Sequence, residues 1–274
     1  VGSEMCIRDS GRKGSIVVID LRDFSIPVAV SAPSISANDL RDISSKEYQA
    51  LLNDTKRPLF NRAFMGLYPP GSTIKPFFTI FALSNSYTNW QEQIYDDGFF
   101  RFAESGRVFN AWREGGHGLT DLNKALVESS NPFFMNLATR YEKDFFTDFL
   151  DSGSFGKKLC VDCWPHQFSP LISDQWKTKN FGSRLFRGDL VNMGVGQGYL
   201  SVTPLHLALI SAMIAQKGDY EIPYLVEKEH DIKKLNFELT EEDWKQLHES
   251  LTQVIYSRNG TGIRLSLIHI SEPT

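Results

Sequence analysis

Apolar and β-branched positions first cluster in two short runs, Gly14-Ser-Ile-Val-Val-Ile-Asp20 and Ile26-Pro-Val-Ala-Val-Ser31, with Leu21-Arg-Asp-Phe-Ser25 between them. Two such runs with so short a connection predict a β-hairpin. From residue 32 to residue 70 the pattern is mixed and polar, with one short helix predicted over 46–52 (KEYQALL). Pro69-Pro70-Gly71 punctuates the chain. An apolar helical stretch over 72–83 follows, with Pro76 in its first turn, where a missing N–H costs least. A loop rich in glycine and aromatic residues runs to His117, and Thr120 is placed to cap a helix carrying Leu122, Ala125 and Leu126 on one face. Ser129-Ser130-Asn131-Pro132 ends that helix and a second is predicted over 133–140. Beyond a loop region at 151–189, Gly194-Val-Gly-Gln-Gly198 precedes a strongly apolar helix over 204–216. Thr240 caps a last helix to about Tyr256, with acids in its first turn. The pattern has no internal repeat and reads as one domain, mainly helical with a few strands.

Composition narrows the function classes. With 33 acidic and 29 basic side chains the net charge is −4 and the isoelectric point about 5.9, so no nucleic-acid partner or anionic lipid surface is expected. The apolar stretch 205–215 is interrupted by His206 and Ser211 and is far shorter than the roughly 20 residues a bilayer span needs. A hydrophobic content of 41% is ample for a core. The two ends read differently from the rest: residues 1–10 and 265–274 correspond to one DNA segment translated from opposite strands. That DNA resembles a transposon-type sequencing adapter. Both ends are therefore set apart as artefact, leaving 11–264 as the natural portion, expected to be an internal fragment of a longer gene product.

Candidate chemistry centres on Ser72-Thr-Ile-Lys75, where a hydroxyl and an amine three residues apart at a helix start project from one face. A serine hydroxyl needs a nearby base to take its proton. A lysine supplies one when burial lowers its pKa from the ordinary value near 10.4, and the helix start adds N–H groups aimed at developing negative charge. Spacing alone is weak evidence, because a chain of this length contains about one such pair by chance. Downstream, Ser129 and Asn131 supply a hydroxyl able to relay a proton and an amide able to hold a peptide group.

Together these segments carry a resemblance. Pro69-Pro-Gly-Ser-Thr-Ile-Lys-Pro76, Ile43-Ser-Ser-Lys-Glu-Tyr-Gln-Ala-Leu-Leu-Asn-Asp54, Gly116-His-Gly118, Glu128-Ser-Ser-Asn131 and Gly194-Val-Gly-Gln-Gly-Tyr199 are similar to segments of the transpeptidase domain of class B, elongation-type penicillin-binding proteins. The resemblance covers 14–262. It implies an α/β (α+β) fold of β-lactamase/transpeptidase type, an antiparallel sheet with flanking helices and a helical subdomain, truncated before its C-terminal strands. It also implies that Ser72 is acylated by a peptidoglycan stem peptide, that Lys75 is the base, and that Ser129 and Asn131 assist. Implied partners are stem peptides, β-lactam antibiotics and elongation-complex membrane proteins, including a glycosyltransferase. The implied location is the periplasmic face of the bacterial inner membrane, with a single-pass anchor elsewhere in the protein. The family's Lys-Ser/Thr-Gly motif is expected beyond Asn259-Gly-Thr-Gly262, so the substrate-binding residues it supplies are unassigned and the fragment by itself is expected to be inactive.

No cofactor is implied. Some members resembling this chain hold zinc through Asp, Asp, His and Cys. Here Asp96 and His117 fit that pattern while Ala111 and Ser130 stand at the other two positions, and two ligands are too few for a closed site. No metal is expected, and His117 is read as a hydrogen-bonding loop histidine. Cys160-Val-Asp-Cys163 with His166 is a weak metal signal and reads as a local disulfide or two free thiols. Gly194-x-Gly-x-Gly198 departs from the dinucleotide fingerprint at Tyr199 and is read as a tight loop. A serine β-lactamase needs a further group to direct water, for which no Glu is assignable. A non-catalytic β-lactam sensor is the other alternative.

Overall fold

The β-branched runs pair as their pattern requires: strands Gly14–Val18 and Val28–Ala32 are antiparallel, with Ile16 opposite Val30. The structure, a computed structural model, describes residues 13–103, 106–226 and 232–263; the segments 1–10 and 265–274 lie outside the described residues. Its contacts cluster into two compact units, each assembled from three separate stretches. The first takes the chain up to Tyr68 with Ser154–Pro170 and Ser201–Lys234. The second takes Pro69–Gly153, Leu171–Leu200 and the chain from Leu235 onward.

In the first unit the hairpin packs against helix Pro204–Ala215. Thr203 caps this helix by accepting from the His206 N–H at 3.1 Å, and it buries Leu205, Leu209, Ile210 and Met213. Helix Ser45–Asn53 starts from a reciprocal Ser44/Glu47 cap. Two single-turn helices, Ala37–Arg41 and Arg62–Met65, fall where only a polar pattern was legible; five residues or fewer show no helical period. Cys160 and Cys163 are joined in a disulfide, one of the two states that their spacing allows.

The second unit is organised around helix Lys75–Ser84, preceded by a 3-10 turn at Gly71–Ile74. Phe77, Phe78, Ile80, Phe81 and Ala82 are all fully buried, and a helix apolar on every side belongs at the centre of a core. Phe81 alone meets the rings of Tyr141 at 4.9 Å, Phe149 at 5.0 Å, Phe146 at 5.6 Å and Phe237 at 5.7 Å. Each such aromatic pair adds about 0.5–1.5 kcal/mol beyond area burial. The helix that begins with Lys75 is thus anchored in the core of the unit.

Three expectations change here. Thr120 is not a helix cap: it ends strand Gly118–Thr120, opposite Ile94, and Asp121 caps helix Leu122–Val127 instead by accepting from the Lys124 N–H at 2.8 Å. The Thr120 hydroxyl is spent on the Gly118 carbonyl at 2.9 Å. The stretch read as loop up to His117 contains two antiparallel pairs, Ile94–Asp96 with Gly118–Thr120 and Phe99–Arg101 with Val108–Asn110; three residues are too few for alternation to register. The region 151–189 holds helices Asp174–Phe181 and Arg187–Met193, the first with too few apolar residues to mark a face. A further helix, Lys143–Ser152, carries Phe146, Phe149 and Leu150 on its buried face. A fourth pair, Asp219–Tyr220 with Lys233–Lys234, belongs to the first unit. Among the described residues, then, the β structure consists of small antiparallel pairs set among helices.

Candidate active site

All residues of the site lie in the second unit. Lys75 is 2% exposed, and its Nζ donates to Asn131 Oδ1 at 2.8 Å, to the Ser129 carbonyl at 3.0 Å and to Ser129 Oγ at 3.1 Å. The Phe134 ring lies 5.2 Å from the same nitrogen. Burial pushes the Lys75 amine down to about 7, with the Asp96 carboxylate acting in the opposite direction. These partners meet because two helices are joined by a tight turn: Leu122–Val127 ends, Ser129 takes a left-handed conformation (φ 57°), and Asn131–Ala138 begins. In that conformation the carbonyl and the hydroxyl of Ser129 both face Lys75. The exposed Trp112 ring adds a donor, its Nε1–H reaching the Ser129 carbonyl at 3.3 Å.

Ser72 sits in the 3-10 turn immediately before Lys75, its carbonyl accepting from the Lys75 N–H. It is exposed, and among the described residues its hydroxyl has no hydrogen-bond partner. The turn is pinned from the glycine loop: the Gly71 N–H donates to the Gly196 carbonyl at 2.9 Å. Gly196 has φ 73°, and a Cβ there would run into the Gly71 backbone. The loop's glycine is therefore required by close approach to the residue preceding Ser72, a reason more specific than a tight turn. Of the four predicted site residues, Lys75 contacts both Ser129 and Asn131 directly, and Ser72 is joined to Lys75 through the backbone of the 3-10 turn.

Asp96, His117 and Ser130 are buried together. His117 Nδ1 and Ser130 Oγ approach Asp96 Oδ2 at 2.6 and 2.5 Å, and Asp96 Oδ1 accepts from the Gly98 N–H at 2.9 Å. Burial opposes the Asp96 charge, but the hydrogen bonds from Ser130, Gly98 and His117 outweigh it and hold the carboxyl below the ordinary range. Ala111 brings no donor atom, and the shared Asp96 oxygen already serves two partners. These residues do not fit a closed zinc site. In the first unit, Cys160, Asp162 and Cys163 group closely, but their sulfurs are consumed by the disulfide.

The chain is similar to known proteins over most of its length. The penicillin binding protein transpeptidase domain matches residues 14–270. The peptidoglycan D,D-transpeptidase MrdA of Acinetobacter baumannii is 33% identical over 97% of the chain, and its namesake in Haemophilus influenzae 36% over 79%. The chain spans only 41% and 34% of the length of those two relatives. Among solved structures, Pseudomonas aeruginosa PBP2 in complex with WCK 5153 superposes with a TM-score of 0.85 at 28% identity, covering 93% of this chain and 60% of that one. PBP2 from Helicobacter pylori gives 0.82 at 27%, covering 92% and 48%. The chain belongs to the penicillin-binding protein transpeptidase family, with the mixed helix-and-sheet fold of that domain. Within the family its resemblance to the elongation-type PBP2 proteins holds.

Sequence reasoning missed the bond from Ser130 to Asp96 and the role of the Ser129 carbonyl. One local signal was available: Ser130 before Asn131-Pro132 is a helix cap, and its hydroxyl does accept from the Phe133 N–H at 3.2 Å.

Proposed function

We propose that the protein is a peptidoglycan D,D-transpeptidase acting in cell-wall elongation through a serine acyl-enzyme, and a target of β-lactams. The observation that carries this reading is a buried lysine held by Ser129 and Asn131 one 3-10 turn after an exposed serine, with burial pushing its amine down to about 7. Lys75 takes the Ser72 proton as the hydroxyl attacks the carbonyl of the penultimate D-alanine of a stem peptide. Ser129 returns a proton to the departing terminal D-alanine, and an amine of a neighbouring strand then displaces Ser72 from the acyl group. Asn131 turns its carboxamide oxygen to Lys75, leaving its NH₂ for the substrate's peptide group.

Relatives named for this activity support the reading. A PBP2 in complex with MreC, from Helicobacter pylori, supports membrane-associated elongation partners for this protein as well. The periplasmic face of the inner membrane, where peptidoglycan is accessible, is the location that fits the substrate. Intact-mass analysis of the full-length protein after exposure to penicillin tests the proposal. A lasting adduct on wild type and none on Ser72→Ala is the expected result, and equal labelling of the two would reject Ser72 as the nucleophile. Rapid loss of the adduct with turnover would instead indicate a β-lactamase.

A further inference from the structure

Ser130 lies between the two residues that hold Lys75, yet its side chain points away from the lysine. Its hydroxyl donates to Asp96 Oδ2 at 2.5 Å and accepts from the Phe133 N–H at 3.2 Å. Ser130 and Asp96 are both fully buried, and the His117 side chain is equally shielded. We propose that Asp96, held by His117 and Gly98, positions the Ser129–Asn131 turn through the Ser130 hydroxyl, and does so by hydrogen bonds without a metal ion. This rests on the transpeptidase reading above and names what keeps its lysine cage in shape.

Three features support the assignment. Ser129 is held in a left-handed conformation (φ 57°), which a non-glycine residue keeps only when its surroundings over-determine it. The next residue is tied to a carboxylate, and a hydroxyl-to-carboxylate bond is about twice as strong as a neutral one. The carboxylate is itself held by His117 Nδ1 at 2.6 Å and the Gly98 N–H at 2.9 Å, and the backbone of the same residue is tied down separately, its carbonyl accepting from the His117 N–H at 3.1 Å. The strand pairing of Asp96 with Gly118 sets that geometry before any side chain is added. Asp96 and Ser130 touch neither Ser72 nor Lys75 by hydrogen bond, so they are positioning residues rather than catalytic ones.

The test separates non-covalent binding of a fluorescent penicillin from the acylation that follows, by stopped flow on the full-length protein. Ser130→Ala removes a single oxygen, and Asp96→Asn keeps the side-chain shape. Each should lower the acylation rate constant about tenfold or more while non-covalent affinity stays within about twofold. Ser130→Thr, which keeps the hydroxyl, should recover most of the rate. The double variant should be no slower than the slower single variant, as members of one network behave. Acylation of Ser130→Ala at the wild-type rate, a loss confined to affinity, or a Ser130→Thr as slow as Ser130→Ala would each overturn the inference. Stoichiometric zinc in protein purified without chelator would overturn it as well. A wild type that is never acylated would reject the transpeptidase reading itself, whereas normal acylation of wild type and Ser130→Ala alike rejects only the positioning role.

Discussion

Lys75 shows how much of the chemistry is set by burial. An amine at the ordinary 10.5 is almost wholly protonated at neutral pH, while one pushed to about 7 is free base in roughly half of the molecules. Only the free base accepts the Ser72 proton. Acylation by penicillin should therefore rise with pH through about 7 and then level off, because protonation of Lys75 on the acid side removes the base. Lys75→Ala should lower the rate about 10²–10⁴-fold and abolish that rise. Stopped-flow acylation across neutrality checks both, and a rise that persists in the variant would assign it to another group. At this scale Ser72, Lys75, Ser129 and Asn131 were legible because their spacing is local and their side chains are chemically distinctive. The Ser130–Asp96 bond was not, since it joins residues 34 positions apart and neither type is unusual by itself.

At the scale of elements, the glycine loop and the serine turn form one device. Gly196 needs both a positive φ and the absence of a side chain, and Gly182 separates the two requirements: it has the same φ of 73° with open space where a Cβ would stand. Gly182→Ala should cost only the backbone strain, about 1 kcal/mol. Gly196→Ala should cost more, about 2–4 kcal/mol, and should slow acylation too, because relieving the overlap moves Gly71 and with it Ser72. Denaturant midpoints and labelling rates of the two variants test this, and equal losses would show that the close approach is unimportant. Long elements with caps were readable from the chain: the helix at 204–216 and the one opened by Thr240 fall within about one residue of Pro204–Ala215 and Glu241–Tyr256. Three-residue strands were not, because their pairing is decided by partners on the other side of a loop.

For the molecule as a whole, the chain contains the lysine cage but spans 41% and 34% of the length of two of its relatives. A tetrahedral intermediate needs donors where its oxyanion forms, and losing one costs about 10²–10³ in rate. The Lys-Ser/Thr-Gly strand that the family resemblance places beyond Gly262 is expected to supply one such donor, so residues 11–262 by themselves should label with fluorescent penicillin at least about 10²-fold more slowly than the full-length protein. Matched rates would mean that the residues described above suffice.

The interleaving of the two units bears on how the chain leaves the ribosome. Strand Val28–Ala32 emerges early, but the helix that covers its hairpin, Pro204–Ala215, is translated some 170 residues later. At about 5–20 residues per second that is roughly 10–35 s during which an apolar hairpin waits uncovered. Neither unit has all its stretches until synthesis has passed Ser201 in one case and Leu235 in the other, so the nascent chain cannot finish one before beginning the next. An uncovered strand edge is a template for wrong pairing, so the early hairpin needs protection until its covering helix has been made.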